Sequence, residues 1–442
     1  MLTFRRDPHE SQIPSPLEGE GRDDRRESGV RGAKNSHTSA VEGTSNPRCH
    51  GSAAVCRPVP RTFLRTFVSL CLCVSLLSAA EFTNPDRLDA SIQSEIEKKN
   101  LPGAVVHLES NGTQYTKALG QRALEPQPEP ASADTIYDAA SLTKVLATAP
   151  AIALLIERSK LDPDKPVATY IPDFAAEGKE SITVKHLLTH TSGLKPGLSR
   201  ATDWSGAETA LKLACAEKPQ RPPGKVFVYS DINFIVLGEI VRVVSGDRID
   251  AFVQREFYAP LKMPDTGYLP PKEKLPRIAP TEKQSDGTVL RGVVHDPTAR
   301  RMDGVAGHAG LFTTAADLAR FCRMLLNGGE LDGVRVLKPE SVALLTTVQT
   351  HATVPDAADD TPTVQRAFGF DLVSPYDGPR GNLFPKTSFG HTGWTGTSLW
   401  IDPASKSFII LLSNRNHPSG GDVRALRRTL GTLAAEIVGV QQ

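Results

Sequence analysis

The chain has 442 residues, 23% of them charged, with 51 Lys and Arg against 50 Asp and Glu and a formal net charge of +1. This is the composition of an ordinary globular protein, without the basic excess typical of nucleic-acid binding and without a strongly acidic balance. On length alone the chain has room for two or three domains, or for one core with a large insertion.

The first 80 residues differ from the rest of the chain. Residues 5–60 are rich in Arg, Gly, Ser, Pro and acidic residues and lack hydrophobic periodicity, which predicts a disordered or mis-annotated extension over 1–60. Residues 61–80 place two arginines before an apolar stretch that ends in Ser-Ala-Ala. That layout predicts a secretory signal peptide, because the stretch is shorter than the roughly 20 residues that span a membrane. We therefore expect a periplasmic or secreted bacterial protein with no stable membrane span after cleavage.

The cysteines fit this interpretation. Of the six, four lie in the first 80 residues and would leave with the presequence. Cys215 and Cys322 remain, and two distant thiols do not form a disulfide framework. We expect both to be buried and unpaired.

The first elements predicted after the signal segment are two strands and a helix. Residues 103–120 alternate in polarity on both sides of Asn111-Gly112, the pair favoured in two-residue hairpin turns. Residues 141–157 are apolar nearly all round, which predicts a central helix. Pro150 removes one hydrogen bond from that helix and is expected to kink it.

The middle and end of the chain complete the predicted fold. Residues 160–385 combine Pro- and Gly-rich connections with amphipathic helices, one of which runs over 315–329 and ends on two glycines. Residues 397–415 read as a second hairpin, and apolar residues spaced three and four apart over 423–437 predict a helix that covers a sheet. We therefore predict an α+β fold for one domain over 81–442. An antiparallel sheet built from both chain ends is flanked by helices and carries an inserted, mostly helical lobe.

Ser141 and Lys144 are the first candidates for catalysis. They stand three residues apart at the start of the predicted central helix, so they share a face. Burial lowers the pKa of a lysine towards neutrality, and it then accepts the proton of a serine that is otherwise a poor nucleophile. Ser192 and Lys195 have the same spacing, but a Pro-Gly pair follows them in a predicted loop. The spacing by itself leaves open both catalysis and a lysine that extends from a helix end to solvent.

Two further motifs extend this pattern. Tyr-Ser-Asp at 229–231 precedes an apolar helical run, and His-Thr-Gly at 391–393 opens the C-terminal strand pair. With Ser-Leu-Thr-Lys at 141–144 they resemble the three active-site motifs of the class C β-lactamase-like serine hydrolases. That family includes D-alanyl-D-alanine carboxypeptidases and esterases as well as β-lactamases. The resemblance spans about residues 86–438 and includes accessory stretches at 186–194, 294–299, 304–312 and 411–418.

The resemblance implies a β-lactamase/transpeptidase-like fold and an acyl-enzyme mechanism that uses no metal and no cofactor. It implies that Ser141 is the acylated nucleophile and that Lys144 is its base or its hydrogen-bond partner. Tyr229, as phenol or phenolate, would shuttle the proton to and from the leaving group.

The resemblance also assigns the groups around the substrate. The backbone N–H groups of Ser141 and Trp394 would form the oxyanion hole. Thr392, Gly393 and Trp394 would bind substrate, and His391 would orient Tyr229 or a substrate carboxylate.

Two positions depart from the β-lactamase pattern. Asp231 stands where that pattern has Asn, and an ionised Asp accepts hydrogen bonds but donates none to a substrate carbonyl. It is still able to hold Lys144 through a charge-assisted contact. His391 stands where β-lactamases carry Lys, and a neutral His attracts a substrate carboxylate more weakly. Both departures favour an esterase or a specialised peptidase over an efficient β-lactamase.

Other histidines raise the question of a metal site. His190, His308 and the pair His295-Asp296 lie in turn-like contexts without a closely spaced ligand pair. Structural hydrogen bonding is the favoured interpretation, and we expect no metal.

The sequence therefore predicts an exported, esterase-like serine hydrolase that cleaves an ester or amide through a Ser141 acyl-enzyme. Its expected partners are a small-molecule ester, a peptidoglycan-derived peptide or a β-lactam, and not nucleic acid. One alternative is a D-alanyl-D-alanine carboxypeptidase or weak β-lactamase. Another is a non-catalytic penicillin-recognising protein, which predicts a missing catalytic residue although all of the motif residues are present.

Overall fold

The computed structural model describes residues 81–357, 361 and 363–440. The expected extension and signal peptide at 1–80 therefore lie outside the described residues. Among the described residues, no helix has the length and apolar character that crossing a membrane requires.

The strands and helices alternate in blocks along the chain. The strands are β1 Gly103–Ser110, β2 Thr113–Ala123, β3 Glu129–Pro130, β4 Tyr137–Asp138, β5 Gly267–Tyr268, β6 Leu311–Thr313, β7 Glu330–Leu331, β8 Val334–Arg335, β9 Thr350–Ala352, β10 Val364–Arg366, β11 Asp371–Val373, β12 Phe389–Thr392, β13 Ser398–Asp402 and β14 Ser407–Ser413. The α-helices are α1 Asp86–Glu97, α2 Ala149–Glu157, α3 Val184–Leu188, α4 Ala207–Ala216, α5 Asp231–Ser245, α6 Ile249–Val253, α7 Pro297–Arg301, α8 Ala315–Leu326, α9 Pro339–Thr346 and α10 Arg424–Ile437.

The main sheet joins the two ends of the described chain. In the described residues it has nine strands in the order β3-β2-β1-β14-β13-β12-β11-β10-β9. β1 pairs antiparallel with both β2 and β14, so an early strand lies beside the last one. The predicted α+β architecture is confirmed, and β3 on one edge and β9 to β12 on the other extend the sheet beyond the two predicted hairpins.

The first hairpin has the predicted turn. Ser110 pairs with Thr113, and Asn111 and Gly112 have φ of 50° and 85°. Two successive positive φ values match the twist of the flanking strands, and Asn-Gly is the pair that adopts them at least cost.

Alternating residues of the sheet pack on different sides. Val105 belongs to the large core that includes the helices between β4 and β9, whereas Ala104 and Val106 pack with α1 and α10. The predicted C-terminal helix buries Leu426 and Leu430 in this second cluster, as its spacing required. Cys215 and Cys322 are buried and free, which confirms that expectation.

The central helix begins with an irregular turn. Lys144–Thr148 is π-helical and leads directly into α2. Pro150 has no N–H to donate to the Leu146 carbonyl one turn earlier, and the hydroxyl of the buried Tyr258 donates to that carbonyl instead, at 3.1 Å. A side chain distant in sequence thus compensates for the hydrogen bond that Pro150 removes, and the expected kink stays a prediction.

Candidate active site

Ser141 lies in a tight turn between β4 and the central helix. Ala140, just before it, has φ of 46°, a conformation that a non-glycine residue rarely adopts. The Ala140 N–H donates to the Asp138 carboxylate at 2.8 Å, which holds this turn in place. The serine is thereby presented at the start of the helix, as the sequence predicted.

The third motif packs directly against this turn. A Cβ on Gly393 would lie 2.6 Å from the Ala139 carbonyl oxygen, so only glycine allows the approach. The Thr395 hydroxyl donates to the Asp138 carbonyl at 2.8 Å, and the Thr397 hydroxyl donates to the Ala139 carbonyl at 3.1 Å. These contacts bring residue 394 beside the serine turn.

The two backbone donors assigned to the oxyanion hole are available. Within residues 81–357, 361 and 363–440, neither the Ser141 N–H nor the Trp394 N–H donates a backbone hydrogen bond. The Trp394 carbonyl accepts from Arg415 Nε at 2.6 Å, and the Arg415 guanidinium stacks 4.4 Å from the indole centroid. These two contacts with Arg415 hold the turn that carries the Trp394 N–H.

Lys144 is fully buried, and oxygen atoms surround its ammonium. Its Nζ lies 3.0 Å from Ser141 Oγ, 3.1 Å from the His308 carbonyl oxygen and 2.7 Å from an Asp231 carboxylate oxygen. The Tyr229 ring centroid lies 4.9 Å away. Lys144 therefore connects the first two motifs and contacts the Ser141 hydroxyl.

The expected fall in the pKa of Lys144 is wrong. Burial does lower that pKa, but the Asp231 carboxylate and the Tyr229 oxygen act in the opposite direction, and the net result lies above the ordinary value. The lysine is held as an ammonium. It can donate a hydrogen bond to Ser141, but it is poorly suited to take the serine proton.

Tyr229 stands in an aromatic cluster. Its ring stacks on His190 at 4.5 Å between centroids and packs at 5.3 Å from Tyr376 and 6.0 Å from His391. Asp231, two residues later, begins α5. The second and third motifs thus meet at this tyrosine.

His391 is buried and neutral. The Thr392 carbonyl oxygen, 2.8 Å from Nδ1, only accepts, so Nδ1 carries the proton. Burial and the positive charges of Arg366 and Lys144 hold the pKa of His391 well below its ordinary value. The ring is adjacent to Tyr229, as a positioning role requires, and its Nε2 has no hydrogen-bond partner among the described residues.

The structural hydrogen bonding expected for His190 is confirmed, and its partner, the second motif, was not identified from the sequence. The Ser230 N–H donates to His190 Nδ1 at 3.0 Å, which places the ring proton on Nε2. Burial lowers the pKa of His190 well below its ordinary value, so the ring is neutral. The only signal in the sequence was the accessory stretch at 186–194.

Asp296 and His308 also reach the site. His308 Nε2 lies 2.9 Å from Asp296 Oδ1, and ligand-type atoms of both residues lie within 4.8 Å of one from Asp231. The structural hydrogen bond expected for these residues is present. The Lys144 ammonium already supplies a positive charge to Asp231, so the chemistry of the cluster does not require a metal.

Comparisons with known proteins identify the family of this chain. A family model described as Beta-lactamase matches residues 88–434. A protein of Escherichia coli K12, provisionally named a D-alanyl-D-alanine carboxypeptidase, is 30% identical over 76% of this chain and 83% of its own. An N-acetylmuramyl-L-alanine amidase of Bacillus subtilis is 32% identical over 75% of this chain and 81% of its own. The structure of a penicillin-binding protein homologue from Caulobacter crescentus superposes with a TM-score of 0.63 at 24% identity, covering 79% of this chain and 98% of that one.

Proposed function

The chain belongs to the beta-lactamase family, and we propose that it is a serine hydrolase whose Ser141 takes the acyl group of an amide in a peptidoglycan-derived substrate. The observation that carries this proposal is the position of Lys144. Its ammonium lies 3.0 Å from Ser141 Oγ while Asp231 holds it from the other side. A buried lysine is costly unless it is paired, and here one of its partners is the Ser141 hydroxyl itself.

The groups divide the reaction as follows. Ser141 Oγ attacks the carbonyl carbon and its proton passes to the Tyr229 oxygen as general base, beside the Lys144 ammonium. The N–H groups of Ser141 and Trp394 bind the oxyanion. Tyr229 then protonates the leaving nitrogen as the carbon–nitrogen bond breaks. Water repeats these steps in reverse order to release the acid and regenerate Ser141.

The substrate class rests on the named relatives. The names of both curated relatives denote hydrolysis of an amide bond in peptidoglycan peptides. The esterase-like hydrolase, which the sequence placed first, is here the second candidate, and it is favoured by the neutral His391, which provides no charge to attract a substrate carboxylate. Export through residues 61–80 stays a proposal from the sequence.

The test is digestion of purified peptidoglycan fragments, with products identified by liquid chromatography and mass spectrometry. We expect Lys144→Ala and Ser141→Ala to lower kcat by roughly a thousandfold or more. Lys195→Ala is the matched control, because Lys195 has the same spacing from Ser192 but pairs with Glu217 at 2.7 Å. Equal losses of kcat in the Lys144 and Lys195 variants would reject the catalytic role of Lys144. Turnover of esters without turnover of amides would favour the esterase.

A further inference from the structure

The turn that carries the Trp394 N–H is hydrogen-bonded to α10. Arg427, a partly buried residue of this helix, donates from Nη2 to the Gly393 carbonyl at 2.6 Å and to the Thr397 carbonyl at 2.7 Å. The Gly393 N–H also donates to the Thr397 carbonyl, at 2.7 Å. One guanidinium nitrogen therefore contacts both ends of the turn at 393–397.

The first of these bonds fixes the direction of the Trp394 N–H. The Gly393 carbonyl and the Trp394 N–H belong to one planar peptide group, and this group is trans, because the cis peptide bonds of the described residues lie elsewhere. In a trans peptide group the C=O and the N–H point in opposite directions. The carbonyl oxygen points to Arg427, so the N–H points away from α10.

The peptide group after Trp394 is held in the same way. Arg415 Nε donates to the Trp394 carbonyl at 2.6 Å. The Gly393 carbonyl accepts a further bond, from the Gly396 N–H at 3.1 Å, but that donor is uncharged and the contact is longer than the one from Arg427. Trp394 is thus fixed by one guanidinium on the peptide group before it and by another on the peptide group after it.

Arg427 is an expensive residue in this place. Its acceptors are backbone carbonyls, which carry no charge to balance the guanidinium, and its Nε is buried without a hydrogen-bond partner among the described residues. Burial and the positive charge of Arg415 lower the pKa of Arg427 to about 9, against the opposing effect of Asp422. Both hydrogen bonds that offset this cost go to the turn at 393–397.

We propose that Arg427 is a positioning residue of the oxyanion hole, which holds the peptide group between Gly393 and Trp394 so that the Trp394 N–H faces the serine turn. The role rests on the proposed function, because an oxyanion hole serves acyl transfer to Ser141. Gly393 already lies against that turn, since a Cβ on it would be 2.6 Å from the Ala139 carbonyl oxygen. The guanidinium also polarises the peptide group, which makes its N–H a stronger donor to a developing negative charge.

The test is the rate at which Ser141 reacts with a fluorophosphonate, whose phosphoryl oxygen gains negative charge as the serine attacks. Rates at several reagent concentrations separate the rate constant at saturation from the binding constant of the reagent. We expect Arg427→Leu to lower the rate constant by roughly tenfold or more and to change the binding constant by no more than about twofold, because the hole acts in the transition state. Arg427→Lys keeps a charged donor on the same helix and should have an intermediate rate constant.

Arg428→Leu is the matched control, because Arg428 is the next residue of α10 and is exposed. Its rate constant should equal that of the unsubstituted protein. Urea midpoints of all the variants separate a loss of folding from a loss of positioning. A folded Arg427→Leu protein that reacts at the unsubstituted rate, or that loses only reagent binding, would overturn the role. Should Arg427→Leu fail to fold, an unsubstituted rate in Arg427→Lys would overturn it.

Failure of the proposed function has a different signature. The labelling rates do not depend on the natural substrate, so the absence of peptidoglycan-fragment cleavage by the unsubstituted protein would contradict the proposed substrate and leave the comparison at Arg427 intact. An unsubstituted protein that forms no adduct at Ser141 would overturn both.

Discussion

At the scale of single residues, burial and neighbouring charge shift the pKa of Lys144 in opposite directions. The apolar neighbours that suggested a lowered pKa are visible in the sequence. The carboxylate that reverses the effect comes from Asp231, at the start of α5. Asp in place of the usual Asn therefore has a physical role, since it keeps the buried ammonium charged.

Replacement of Asp231 by Asn should move the pH dependence of the reaction. Without the carboxylate, burial is the largest remaining influence, so the pKa of Lys144 falls. Activity that needs the ammonium is lost as pH rises through this pKa, and the variant should lose kcat/KM at a lower pH than the unsubstituted protein. The measurement is kcat/KM against pH on one substrate.

The control for this experiment is Glu217→Gln, which removes the carboxylate from the lysine of the Ser192 loop. Its pH profile should match that of the unsubstituted protein. An unchanged alkaline limb in Asp231→Asn would show that the charge of Lys144 is not what the reaction uses.

At the scale of elements, the central helix depends on a contact that its own sequence does not reveal. Its apolar character and its position were predictable from residues 141–157. The sequence did not predict the π-helical turn at Lys144–Thr148. Nor did it predict that the Tyr258 hydroxyl replaces the missing Pro150 donor. The substitute donor comes from a distant part of the chain, and local patterns do not report such contacts.

Tyr258→Phe should therefore destabilise the fold. The Leu146 carbonyl would be left buried without this donor, a loss of about 1–3 kcal/mol. The urea midpoint should fall, whereas Tyr170→Phe, which removes a hydroxyl bonded to the exposed Asp162 backbone, should change it little. Equal midpoints for both variants would contradict this account of the helix.

At the scale of the whole molecule, the motifs meet from three separate places: the turn after β4, the start of α5 and the end of β12. The pairing of β1 with β14 followed from alternation at both chain ends, and the three motifs were readable as short local patterns. Asp296 and His308 were not assigned to the site. They come from loops whose sequence does not specify which atoms they approach, and only the folded lobe brings them near Lys144 and Ser141.

The most direct test of the central claim is intact-protein mass spectrometry after treatment with a fluorophosphonate. We expect one adduct on the full chain, mapped to Ser141 by peptide analysis and absent from Ser141→Ala. An adduct that persists in Ser141→Ala, or no adduct on the folded unsubstituted protein, would contradict the claim that Ser141 is the activated nucleophile.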